Sequence, residues 1–60
     1  MWLIDLQRAL TKLEKTIDMY MVTITYIRPA YDGIVFDLSN HKKYKYWYIT
    51  EECNELGPWR

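Results

Sequence analysis

The chain has 60 residues, enough for one small domain, and ordering them costs conformational entropy on the order of 90 kcal/mol at about 1.5 kcal/mol per residue, so a single core leaves little margin. Apolar residues make up 50% and charged residues 27%, which excludes a disordered chain, while the aromatic share of 17% is high. Eight basic and eight acidic side chains cancel, so the totals exclude both a bulk polyanion binder and an acidic nucleic-acid mimic, and any electrostatic role must rest on distribution.

The opening MWLIDLQRAL has no basic leader, and Asp5 interrupts its apolar run. No stretch approaches the roughly 20 apolar residues of a membrane span, so neither a targeting signal nor a membrane partner is read here. Leu3, Leu6, Leu10, Leu13, Ile17 and Tyr20 recur at helical intervals and form one apolar stripe, predicting a helix over about 3–19. Arg8, Lys12 and Lys15 fall on the opposite side as a short basic ridge, which a solvated face explains and which a row of phosphates would also suit. The spacing resembles that of a coiled coil but lasts fewer than three heptads, so packing on a sheet is expected.

At Val22 the period changes to two. VTITYI alternates Val22, Ile24 and Tyr26 with Thr23, Thr25 and Ile27, and its β-branched residues predict a strand over about 21–28. RPAYDG then turns the chain through its proline and Asp32-Gly33. IVFDL predicts a second strand over about 34–38, with Ile34, Phe36 and Leu38 on one face. After the polar turn SNHK comes a third strand over about 43–50, dense in lysines and rings. The rest is an acidic tail, 51–60, in which Gly57-Pro58 ends regular structure and Trp59 is placed to fold back as a cap on the core.

Short links between consecutive strands predict an α+β domain in which the N-terminal helix packs on one face of a three-stranded antiparallel β-meander, αβββ. One helix covers one face of such a sheet and leaves the other to water. In the third strand Tyr44, Tyr46 and Tyr48 share a face, and Lys43, Lys45, Trp47 and Ile49 share the opposite one. Trp and Ile repay burial better than phenols that each need a partner, so the expectation is a tyrosine ladder outside, beside Thr23, Thr25, Val35 and Asp37. The reversed register would instead put Trp47 and Ile49 outside, flanked by lysines.

Exposed aromatic surface on a small domain marks contact with another molecule. The leading expectation is a non-enzymatic protein-binding module that occupies a surface of a partner protein through Tyr44, Tyr46 and Tyr48, aided by Trp47 and Tyr31. Cover by the tail, or by the same face of a second copy in a homodimer, competes with it. Short, aromatic-rich and free of motifs, the chain resembles in type the small inhibitors that phages make against host or defence proteins. That resemblance implies no particular functional residue.

The alternative is a weak single-stranded nucleic-acid binder, because HKKYKYWY interleaves cations with rings. Lys42, Lys43 and Lys45 would neutralise phosphates, with Arg8, Lys12 and Lys15 as a second basic track. An enzyme is not expected. His41, the sole histidine, sits in a turn beside lysines. Cys53 is surrounded by Glu51, Glu52 and Glu55, a setting that disfavours the thiolate. One histidine and one cysteine do not make a zinc site, Gly33 and Gly57 make no phosphate loop, and no cofactor is expected. A lone cysteine excludes an intramolecular disulfide and, with no leader in view, predicts a cytoplasmic setting.

Overall fold

A computed structural model describes residues 2–56. Helix α1 (Trp2–Tyr20) is followed by four strands, β1 (Ile24–Ala30), β2 (Gly33–Leu38), β3 (Lys43–Trp47) and β4 (Glu52–Glu55). They form one sheet in the order β1-β2-β3-β4 with every neighbouring pair antiparallel, so the chain is a small α+β domain. The three-strand expectation is corrected to four. The third strand stops at Trp47, short of residue 50, because Glu51 takes a left-handed backbone (φ 53) and donates its N–H to the Trp47 carbonyl at 2.8 Å. That turn sends ECNE back along β3, pairing Trp47 with Glu52 and Tyr44 with Glu55. Ladder bonds are made by the main chain, so acidic side chains do not prevent them. The expected stop at Gly57-Pro58 and the Trp59 cap lie outside the described residues.

The link between helix and sheet is a Schellman-type cap. Met21 is left-handed (φ 52), and the Val22 N–H reaches back to the Ile17 carbonyl at 3.3 Å, satisfying a carbonyl that the helix end leaves without a partner. Val22 is buried in the core, against which half-buried Ile17 also packs. The first strand therefore begins at Ile24 rather than near 21.

Ala9, Leu13, Val22, Ile34, Phe36, Leu38 and Tyr46 form the core, with Leu6, Leu10 and Ile17 packed against it. Ala9 is fully buried; its small side chain lets the helix approach the sheet. The two ends of the expected stripe overhang it, Leu3 at 68% exposure and Tyr20 at 58%. No described helix is long and apolar enough to cross a membrane.

Register in β1 also differs from simple alternation. Ile24 pairs with Leu38 but Tyr26 pairs with Asp37, so Thr25 is an extra residue and the parity flips there. Ile24 and Ile27 both pack on the core, whereas Tyr26 points outward and is 59% exposed. Pro29 lies within this strand, tolerated because β1 is an edge and needs no ladder on its outer side.

Candidate functional site

The tyrosine ladder faces the helix, reversing the sequence expectation. Tyr46 is completely buried, Tyr44 and Tyr48 are partly buried against the core, and the Tyr46 and Tyr48 rings meet edge-on at 6.1 Å between centroids. Burial raises the hydroxyl pKa of both Tyr44 and Tyr48. The physical reason is the company Trp47 keeps. Its face also carries Lys43 and Lys45, and placing two ammonium groups under the helix costs more than burying phenols. Tyr46 is therefore a core residue, and the three tyrosines do not form an exposed anchor.

The opposite face carries the charges, most of them paired. The Lys43 ammonium lies 3.1 Å from an Asp37 carboxylate oxygen, and Lys45 bridges to Asp32 while sitting 5.3 Å above the Trp47 ring. The hydrogen bond from Lys45 holds the Asp32 carboxyl below the usual aspartate range. Val35 is buried on this same face, between its ladder neighbours Arg28 and Lys45, whose long stems shield it. At the β2–β3 turn Lys42 bridges to Glu55 at 2.9 Å, and that bond raises the pKa of Lys42.

Two turns meet at one end of the sheet. Gly33 pairs with Trp47, and the Tyr48 N–H donates to the Asp32 carbonyl at 2.9 Å, tying the 31–32 turn to the 48–51 turn. Tyr31 projects from the first at 103% relative exposure and Ile49 from the second at 86%, with half-buried Trp47 between them in the chain path. The helix start points toward this end, as the contact from Arg8 to Glu51 requires, and it brings exposed Leu3 and Ile4. Tyr31 and Trp47 are among the residues expected from the sequence to help bind a partner, and the structure places them at this end. Ile49 is expected within the third strand; its display depends instead on the left-handed Glu51, for which the sequence carries no signal.

On the helix side, Arg8 Nη1 donates to Glu51 Oε1 at 2.8 Å, with both side chains more than half exposed. Arg8, Thr11, Lys12 and Glu51 line a shallow cleft of about 340 Å³; Lys15 is exposed farther along the helix. Cys53, half-buried on β4, has its thiol pushed up to about 11 by burial, with the Lys12 charge opposing. Burial, rather than the neighbouring glutamates, suppresses its thiolate. His41 occupies the left-handed position (φ 68) of the 39–41 turn and is exposed. No group of three or more His, Cys, Asp or Glu among the described residues is placed to hold a metal ion. Comparison with protein-family models, curated proteins and solved structures returns no match.

Proposed function

We propose that the protein is a non-enzymatic protein-binding module, of the small inhibitor type, that occupies a surface of its partner through the end of the sheet carrying Tyr31, Trp47 and Ile49. The observation that carries this reading is the exposure of Tyr31 and Ile49, 103% and 86%, on two turns tied together by the Tyr48 to Asp32 hydrogen bond. Turns tied to each other lose little backbone freedom on binding, and large side chains standing in water supply anchor area. Edge-to-edge assembly of the sheet is disfavoured. The β1 edge contains Pro29 and a bulge, and β4 is only four residues long.

The test is affinity capture from a cell lysate with the wild type and a Tyr31→Asp/Ile49→Asp variant, both shown folded by circular dichroism. The expected result is one stoichiometric protein, identified by mass spectrometry, that the variant loses and that rebinds when purified. Equal capture by both chains would overturn the assignment of this surface. A concentration-dependent mass lost in the same variant would make the partner a second copy.

Single-strand binding has one observation in its favour: Lys43, Lys45 and Trp47 share the open face, the arrangement that joins charge to a stacking platform. Against it, Asp37 and Asp32 already neutralise both lysines, so few counterions are released on binding. Oligothymidylate titrations should give weak affinity that disappears at physiological salt; tight, salt-resistant binding would reverse the preference.

A further inference from the structure

We propose that the cleft between α1 and the 48–51 turn is a binding site for a phosphoryl group, with Glu51 as an internal competitor for it. This site shares the 48–51 turn with the apolar end surface but uses Glu51 rather than Ile49, and it does not depend on the proposed protein partner. Arg8 and Lys12 lie one helical turn apart with Thr11 between them, and the three line a concavity of about 340 Å³, at the lower end of small-ligand sites. An arginine fork and a lysine point charge are donors that a phosphate dianion takes; the Thr11 hydroxyl donates its proton to the Gln7 carbonyl at 2.9 Å and lines the wall between them. Lys12 has no ion pair among the described residues. Arg8 is already bound by a carboxylate, that of Glu51 at 2.8 Å, so its guanidinium is aimed at an oxyanion within the cleft.

Two features make Glu51 a displaceable plug. The bridge is solvent-exposed, 54% and 56% on its two side chains, and exposed pairs are weak. The Glu51 backbone is left-handed (φ 53), a conformation that a glutamate adopts only at a cost. Asparagine or glycine would hold the turn more cheaply, and neither would cover Arg8. The strained choice thus places a carboxylate where an incoming phosphoryl group must compete with it.

The experiment is a titration of the full chain followed by amide NMR, using inorganic phosphate and phenyl phosphate as probes and sodium chloride at matched ionic strength as control. Saturable shifts at residues 8–12 and 51 are expected. They should be lost in Arg8→Gln/Lys12→Gln, which keeps the helix-favouring stems, and Glu51→Asn should bind about two- to fivefold tighter, the range that an exposed ion pair supplies. Saturation by inorganic phosphate alone would identify free phosphate as the ligand source; equal or tighter phenyl phosphate would identify a monoester. Linear drift matching the chloride control, or affinity in Glu51→Asn no higher than in the wild type, would overturn the proposal.

Discussion

The Gly33 backbone lies so close to the Tyr46 carbonyl that a Cβ on residue 33 would collide with it. The glycine is required by this approach and not by its φ, because the adjoining turns are drawn together where Tyr48 bonds to Asp32. The obstacle is backbone, which cannot rotate aside. Gly33→Ala should therefore destabilise the domain by about 2 kcal/mol or more, a large fraction of the total for a chain of this size. Urea denaturation measures this directly, and a midpoint equal to that of the wild type would show that the two strands have room to separate.

Met21 and His41 both hold left-handed backbones in positions that usually go to glycine, one capping α1 and one closing the β2–β3 turn. Met21 is 91% exposed, so its side chain contributes almost no packing. Met21→Gly should stabilise by about 1 kcal/mol, which raises the thermal midpoint by roughly 4–8 °C in a small domain. His41→Gly should act in the same direction. A lower midpoint in either variant would mean that the side chain makes a contact worth more than the strain.

These cap and turn positions also show where the sequence stops being legible. Helical periodicity in α1 and the alternation of Ile34, Phe36 and Leu38 are properties of side-chain pattern, and both elements formed where that pattern put them. The fourth strand depends instead on a main-chain event at Glu51, and the parity of β1 on an extra residue at Thr25; neither alters composition or hydrophobic period. The orientation of β3 was readable in principle. Comparing Trp47 with the tyrosines favoured the wrong face, whereas weighing Lys43 and Lys45 along with Trp47 favours the observed one. With the ladder inside, Tyr31 and Trp47 keep their places in the candidate surface while Tyr46 leaves it.

The hydroxyl of Tyr46 is buried and has no hydrogen-bond partner among the described residues, although its ring fills the middle of the core. A buried, unsatisfied polar group forfeits its hydration. Tyr46→Phe keeps the ring and removes that liability, so it should raise stability by about 1 kcal/mol. Tyr46→Ala should lower it by about 3–5 kcal/mol through the cavity it leaves and abolish cooperative unfolding in a domain with so little margin. Denaturant midpoints decide both. A destabilised Tyr46→Phe would show that the hydroxyl is bonded in solution.

Cys53 makes the domain sensitive to alkali. Burial raises its thiol from an ordinary 9.0 to about 11, so the folded state holds the proton over a range in which the unfolded chain releases it. The corresponding stabilisation is complete below about 9 and is lost as pH climbs toward about 11. Tyr44 and Tyr48, raised by burial, act in the same direction but begin near their ordinary value of about 10. The urea midpoint should therefore fall between pH 8 and pH 10, and fall less in Cys53→Ala than in the wild type. Iodoacetamide should alkylate the folded chain with a pH midpoint near 11, dropping to about 9 in denaturant. Rapid alkylation of the folded chain at pH 8 would place the thiol at the surface and remove this source of pH dependence.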